Sequence, residues 1–284
     1  MKKKVFGYFI GLLCCISAIL CLSACDGEVT LRHMHTFSDE WTSDESNHWH
    51  AATCGHTDKI SGVAQHTFEN DICTICLRPR VSVGLSYSLN EDKTSYSVTG
   101  AGTCTDTDII IPAEYKDLPV TGIADRAFKF CSFVTGITLP DGVTSIGNSA
   151  FNGCSALTSI TIPDSVTIIG DSAFWGCTSI EHATMPAMAI EAIPKDSLTG
   201  VVLTSGDSIG RYAFANCSAL TSITIPDTVT SIGGSAFYRC SALTEISFNG
   251  TVEQWNAVSK GTYWDSDTGD YTVYCTNGET AKEP

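Results

Sequence analysis

The residues best suited to chemistry are histidines and cysteines concentrated in one segment, residues 35–80. Six of the chain's seven histidines lie in this segment or just before it. Cys73 and Cys76 form a Cys-x-x-Cys pair, which can hold one metal ion because its two sulfurs project from a tight turn. Two further nitrogen or sulfur ligands would complete a tetrahedron around Zn²⁺. The segment therefore predicts a zinc site.

The zinc is expected to be structural, because a segment of this size with few aliphatic residues cannot build a sufficient core alone. The preferred ligands are Cys54, His66, Cys73 and Cys76, and the substitutes, or members of a second site, are His35, His50 and His56. The alternative is a set of surface histidines beside a disulfide or free thiol pair. Catalytic zinc is disfavoured because the chain has no H-E-x-x-H motif.

The N-terminus has the pattern of a secretory signal. Lys2–Lys4 precede an apolar run from Val5 to Leu22, and Leu22–Cys25 reads L-S-A-C. A membrane anchor helix is the alternative, since the run is about 18 residues long. The L-S-A-C tetrad resembles the lipobox of bacterial lipoproteins. This resemblance implies that residues 1–24 are removed, that lipid on Cys25 anchors the protein to the membrane, and that residues 25–34 form a tether.

The rest of the chain is organised by a repeated phrase. Cys131–Gly147, Cys154–Gly170 and Cys217–Gly233 are near copies, and successive phenylalanines such as Phe128 and Phe151 are 23 residues apart. A fixed period of this length predicts a solenoid. In each copy a short alternating strand such as Ile160–Ile162 ends at a proline, which lacks the N–H that a strand ladder needs. The expected fold is therefore mainly β, with coils stacked about 4.8 Å apart.

These repeats resemble the BspA-like leucine-rich repeat family. The shared pattern is I-G-x-x-A-F-x-x-C-x-x-L-x-x-I-x-I-P-x-x-V-x-x-I-G, and it covers roughly Val120–Phe248. The resemblance implies a leucine-rich-repeat solenoid on the bacterial cell surface that takes part in adhesion or host interaction. The implied partner is an extracellular protein or glycan.

The flanks of the array are interpreted as caps. Residues 81–112 are expected to form an N-terminal β cap, with a hairpin that turns at Asn90–Lys93. Residues 113–249 hold the repeats, and residues 250–284 form a C-terminal cap and tail. By resemblance to the family, a short helix carrying Trp255 covers the last coil, and the polar tail Thr276–Pro284 is expected to fray.

One irregular unit separates Phe174 from Phe214, which are 40 residues apart. This unit, Met185–Asp207, is expected to interrupt a row of outward hydroxyls at Thr138, Thr161, Thr184, Thr224 and Ser247. The row is interpreted as a solvated face or a binding surface. Recognition is expected where the copies vary, as at Thr158, Ser159 and Asp164–Ser165, or in the irregular unit itself.

The repeats also align Cys131, Cys154, Cys177, Cys217 and Cys240 in a column. Buried free thiols are favoured there, and redox sensing or metal binding is the alternative.

Charge and histidine content narrow the function. The net charge of −15 disfavours a nucleic-acid partner. His182 is the only histidine outside the His-rich N-terminal part, so the sequence favours a non-enzymatic protein. We expect a monomeric, lipid-anchored surface protein that binds a protein or glycan, and a zinc-scavenging surface lipoprotein is the alternative.

Overall fold

The computed structural model describes residues 81–282 in full. Before them it places the backbone of five strands, β1 (Phe37–Ser43), β2 (Asn47–Ala52), β3 (Ile60–Gln65), β4 (Phe68–Glu69) and β5 (Ile72–Cys73). The first three form an antiparallel sheet in chain order, and β4 pairs with β5.

Residues 81–282 form short strands with two short helices. The strands are β6 (Ser86–Leu89), β7 (Tyr96–Gly100), β8 (Asp108–Ile110), β9 (Glu114–Tyr115), β10 (Leu118–Ile123), β11 (Gly136–Thr138), β12 (Ser145–Ile146), β13 (Ser159–Thr161), β14 (Ile168–Ile169), β15 (His182–Met185), β16 (Gly200–Leu203), β17 (Ser208–Ile209), β18 (Ser222–Ile225), β19 (Ser231–Ile232), β20 (Glu245–Phe248), β21 (Ser259–Lys260), β22 (Thr272–Cys275) and β23 (Gly278–Ala281). The helices are a 3₁₀ helix at Ala187–Ala192 and α1 at Val252–Ala257.

The predicted solenoid is confirmed, with one long sheet along its length. Its strand order is β8-β11-β13-β15-β16-β18-β20-β22-β23, and all neighbours are parallel except the last pair. Each coil contributes one strand, whose middle residue points into the core, as Ile137 and Ile160 do. We refer to this element as the long sheet.

In most coils the chain forms a second short strand after its strand in the long sheet. These strands make a second layer, which is divided into two parts. One part has the order β6-β7-β10-β12-β14, with β9 beside β10, and the other has the order β17-β19-β21. Within residues 81–282, no second-layer strand lies between β14 and β17. The division coincides with the irregular unit of the sequence.

After the second layer, each regular coil returns through a tight turn that carries the Ala-Phe pair. The segment that makes this return has no regular secondary structure. Two left-handed residues four positions apart shape each turn, as Ser149 (φ 54°) and Gly153 (φ 76°) do in one coil. The N–H groups of Ser149, Phe151 and Gly153 donate to the next coil at 2.8–2.9 Å. The turns are therefore bonded to one another as the strands are.

The core consists of side chains stacked from coil to coil. Phe151 is fully buried, and its ring lies 5.4 Å from that of Phe128 and 5.1 Å from that of Phe174, nearly parallel to both. Phe214 and Phe237 repeat this packing beyond the irregular unit, at 5.3 Å. Each 23-residue repeat therefore adds one phenylalanine ring to an aromatic stack.

Both ends of the array are closed by hairpins. At the N-terminal end β6 pairs antiparallel with β7, as predicted, and the turn at Asn90–Lys93 is closed by a bond from Asn90 N–H to the Ser95 carbonyl at 2.9 Å. Helix α1 begins with a capping box between Thr251 and Gln254 and buries Trp255, as expected.

The expectation of a frayed C-terminal tail is wrong for residues 278–281. These residues form β23, which pairs with β22 along its full length. Residues 259–275 also continue the solenoid, since β21 joins β19 and β22 joins β20. The final coil lacks the repeat pattern because it stacks Trp264 edge-on to Phe237 at 5.9 Å in place of another phenylalanine.

Candidate interaction face

The outer face of the long sheet carries two rows of outward positions, which are exposed or half-buried except at the buried Gly136. We name them by their place in the strand. The first row is Asp108, Gly136, Ser159, His182, Gly200, Ser222, Glu245 and Thr272, and the second row is Ile110, Thr138, Thr161, Thr184, Val202, Thr224, Ser247 and Tyr274. Eight strands at about 4.8 Å make each row about 34 Å long.

The irregular unit keeps its place in the second row, but it interrupts the row of hydroxyls, as expected from the sequence. β15 and β16 both belong to the long sheet, so Thr184 pairs with Val202 and Val202 with Thr224. The irregular unit is therefore one complete strand position whose outward side chain is Val202 rather than a threonine. Val202 is 41% exposed and lies between two threonines.

The hydroxyl groups of the second row are available to a ligand. Those of Thr138, Thr161, Thr184 and Thr224 make no hydrogen bond to any part of the chain between residues 81 and 282. Ser247 differs, because its Oγ donates to Glu245 Oε1 at 2.8 Å. The threonines hold their side chains in fixed rotamers, so a partner can bind them at a small entropic cost.

A third set of threonines just before the strands has a structural role. Thr158 Oγ1 donates to the Thr135 carbonyl at 3.1 Å, and Thr244 Oγ1 to the Thr221 carbonyl at 3.2 Å. Ser165 Oγ likewise donates to the Val143 carbonyl at 2.6 Å. Thr158 and Ser165 are thus used to join neighbouring coils, although the variation between copies indicated them as recognition residues.

The two rows differ in charge: the second row has no charged residue, whereas two of the eight positions in the first row are acidic. Their acidic residues are Asp108 and Glu245, both in the first row, and His182 lies between them. The His182 ring rests over Gly200, where a β-carbon would lie 2.8 Å from Nδ1. His182 thus packs on the backbone of Gly200 on one side and has Ser159 as its first-row neighbour on the other.

The predicted metal ligands and the lipidation residue fall where the structure gives no side chains. Cys25, His35, Cys54, His56, His66 and Cys76 lie outside the described residues. His50 and Cys73 lie in β2 and β5, of which only the backbone is described. Within residues 81–282, no group of three or more His, Cys, Asp or Glu side chains could hold a metal ion.

The cysteine column is confirmed as free thiols, four of which are buried. Cys154, Cys177, Cys217 and Cys240 are fully buried, whereas Cys131 at the start of the column is partly exposed. Cys154 Sγ donates to the Phe128 carbonyl at 3.1 Å. In the same way, the Cys177 thiol donates to the Phe151 carbonyl and the Cys240 thiol donates to the Phe214 carbonyl.

Burial and mutual hydrogen bonds shift the pKa values of these thiols in opposite directions. A hydrogen bond with the Cys177 thiol, together with burial, raises the pKa of Cys154. Burial, together with the Cys154 charge, raises the pKa of Cys131. Hydrogen bonds with Cys154 and Cys240 lower the pKa of Cys177 and Cys217. Because four of the five thiols are fully buried, the column packs and bonds the turns. Cys104 is also a buried free thiol, and Cys275 is a partly exposed one.

The repeats match the profile of the BspA type leucine rich repeat region in six copies, over residues 121–205 and 207–259. With the solenoid observed here, this match identifies residues 121–205 and 207–259 as a BspA-type leucine-rich repeat region. Proteins of this family are typically surface-associated bacterial proteins, and leucine-rich repeat proteins generally bind proteins and are generally non-enzymatic.

Solved structures of leucine-rich repeat proteins are similar to the chain. The T. pallidum leucine rich repeat protein is 24% identical over 63% of this chain and 79% of that one, with a TM-score of 0.37. A leucine-rich repeat protein from Eubacterium ventriosum is 21% identical over 77% of this chain and 57% of that one, with a TM-score of 0.47. No curated protein matches the chain.

Among residues 81–282 and the five placed strands before them, no helix is long and apolar enough to cross a bilayer.

Proposed function

We propose that this protein is a non-enzymatic surface protein that binds an extracellular protein or glycan through the outer face of the long sheet. The observation that carries the proposal is the absence of charged residues from the second row, in a chain with a net charge of −15. Charged residues are depleted at the centre of protein interfaces, because an unpaired charge is costly to desolvate. Adhesion or host interaction is the role that this face would serve.

The chemistry of the two rows suits a polar partner with some apolar contact. Free threonine hydroxyls donate and accept hydrogen bonds, and their methyl groups pack against apolar atoms. Val202 (41% exposed) and Tyr274 (46% exposed) add larger apolar surface at the middle and the end of the second row. Tyr274 is of the residue type most often found at binding hot spots.

Replacing Val202 with arginine is expected to weaken ligand binding at least tenfold. The substitution places a charge at the centre of the uncharged second row, and a partner must then desolvate it without a counter-charge. A tenfold loss corresponds to about 1.4 kcal/mol. The measurement is the affinity of the full chain for immobilised extracellular matrix proteins and glycans, by biolayer interferometry.

The matched control is Ser155→Arg, which adds the same charge at an exposed turn position away from the long sheet. This variant should bind as the wild type does. If Val202→Arg keeps wild-type affinity for every ligand found, the outer face of the long sheet is not the binding surface.

Membrane anchoring through Cys25 and a structural zinc in residues 35–80 complete the proposal on sequence grounds. Both are accessible to mass spectrometry of the mature full chain, as an acyl mass on Cys25 and as one or two bound zinc ions. A chain that holds many exchangeable metal ions would instead favour zinc scavenging, and an unmodified Cys25 would exclude the lipid anchor.

A further inference from the structure

Between the coil of β14 and the coil of β17, the backbone hydrogen bonds that join the second-layer segments of neighbouring coils are missing. In other coils a glycine N–H that follows the second-layer strand donates to an isoleucine carbonyl of the preceding coil at 2.8 Å; these glycines are Gly147, Gly170, Gly233 and Gly261. Gly210 occupies the same position after β17. Its N–H donates to no residue within 81–282.

The next step is missing as well. Ser149 N–H donates to the Asp171 carbonyl at 2.9 Å, and Tyr212 N–H to the Gly234 carbonyl at 3.2 Å. The equivalent bond would join Ser172 N–H to the Arg211 carbonyl, and the described residues form no such bond. One edge therefore presents the Ile169 carbonyl and Ser172 N–H, and the facing edge presents Gly210 N–H and the Arg211 carbonyl.

The gap between these edges is one strand wide. In the long sheet β15 lies between β13 and β16, so the coils that lead to β14 and β17 are two strand spacings apart, about 9.6 Å. The intervening coil has only 18 residues between the starts of β15 and β16 and forms the 3₁₀ helix instead of a second-layer strand. A β-carbon built on Gly210 meets nothing within 4 Å, whereas one on Gly170 would lie 2.5 Å from Asn148 N. We call this gap, between Ile168–Ser172 and Ser208–Arg211, the notch.

The coil that ends at the notch has an exposed isoleucine at a second-layer position where most other coils have serine. Ile168 is 63% exposed, and the paired positions in other coils are serines, at Ser145, Ser208, Ser231 and Ser259. Trp175, on the same coil, is 73% exposed. Met188 of the intervening coil is 49% exposed. An apolar edge of this kind with free backbone groups is suited to receive an extended chain.

A cavity of about 340 Å³ lies beside the notch, lined by Val166, Ala187 and Met188 among others. Asp164 also lines it, and its Oδ1 accepts bonds from Thr204 Oγ1 at 2.6 Å and Ser205 Oγ at 2.8 Å. Asp171 and Asp207 are exposed near the two edges, while Arg211 lies over the ring of Tyr212 at 4.6 Å. The surroundings favour a partner with basic side chains.

We propose that the notch binds an extended, basic segment of a partner protein, in which apolar and Lys or Arg residues alternate, as an added β-strand. The segment donates to the Ile169 carbonyl and accepts from Ser172 N–H on one side, and it bonds Gly210 N–H and the Arg211 carbonyl on the other. Its apolar side chains cover Ile168 and Met188, and one Lys or Arg enters the cavity to meet Asp164. This site is separate from the outer face of the long sheet.

The test uses the full chain and fluorescein-labelled peptides in fluorescence anisotropy. The probe is Thr-Val-Arg-Val-Thr-Val-Arg-Val-Thr. One control peptide carries proline in place of the central residue, which removes a ladder N–H, and another carries glutamate in place of both arginines. The alternating basic peptide should bind at least tenfold more tightly than either control. Hydrogen exchange should show new protection at the Ser172 and Gly210 amides.

Variants locate the peptide. Ile168→Arg should weaken binding of the probe peptide at least tenfold, and Asp164→Asn should weaken it about threefold to tenfold, whereas Val202→Arg on the long sheet should leave it unchanged. The proposal is overturned if no peptide binds, if the proline peptide binds as well as the probe, or if Ile168→Arg has no effect. Peptide binding that is lost with Val202→Arg and kept with Ile168→Arg would assign the peptide to the long sheet instead.

Discussion

Replacing Phe151 with alanine is expected to lower the free energy of unfolding by about 3–5 kcal/mol, as truncation of a fully buried phenylalanine does. Phe151 is stacked on both sides, by Phe128 at 5.4 Å and by Phe174 at 5.1 Å. A solenoid is stabilised mainly by contacts between neighbouring coils, so a cavity at this position weakens two interfaces at once. Urea unfolding followed by circular dichroism measures the loss.

The matched control is Phe130→Ala. Phe130 lies two residues beyond Phe128 in the same turn, but it is 69% exposed and only covers Gly153 from outside. Its truncation should change the free energy of unfolding by no more than about 0.5 kcal/mol. Equal effects of the two substitutions would mean that the aromatic stack does not join the coils.

The repeated fold could be predicted from the sequence because each fixed residue has a local physical role. Pro163 ends a strand, Ile160 points into the core, and Phe151 and Phe174 mark one period. Stacking then requires only that equivalent residues lie above one another. The same reasoning predicted the free thiols, since residues at one repeat position all point the same way and lack the Cβ directions that a disulfide needs.

The interaction surfaces were harder to predict, because they depend on where the regularity ends. In the sequence, the 40-residue spacing from Phe174 to Phe214 indicates a single irregular unit that interrupts the row of outward hydroxyls. In the structure it is a coil of 18 residues followed by one of 22, and both keep their strand in the long sheet. Only the second layer is broken, because the shorter coil has too few residues to reach it. The signal available in the sequence was Ile168, an isoleucine where other copies have serine.

At the C-terminal end, the solenoid continues beyond the residues that carry the repeat pattern. The final coil shares the shape of the repeats without their sequence, since Trp255, Trp264 and Tyr271 fill the core in place of one phenylalanine. Pattern matching therefore stops at about residue 259, although parallel pairing continues to β22. Packing of large aromatic rings can satisfy the last coil in many ways, and a repeat pattern does not distinguish them.

Replacing Gly170 with alanine is expected to destabilise the protein by about 1–3 kcal/mol, as overpacking of a tight contact does. The new β-carbon would lie 2.5 Å from Asn148 N and 2.7 Å from the Gly147 carbonyl carbon, and both are backbone atoms that cannot rotate away. Neither Gly170 nor Gly210 has a left-handed φ, so conformational strain does not enter the comparison. The melting temperature and urea midpoint measure the effect.

Gly210→Ala makes the same change at the same repeat position and should be neutral, or stabilising by about 0.4–1 kcal/mol, since alanine restricts the unfolded chain. Its β-carbon meets no atom within 4 Å, because the preceding coil does not reach the second layer there. The pair of variants therefore reports whether the notch is open in solution, without any ligand. A loss of stability in Gly210→Ala as large as that in Gly170→Ala would mean that backbone fills the notch, and no partner strand could then enter it.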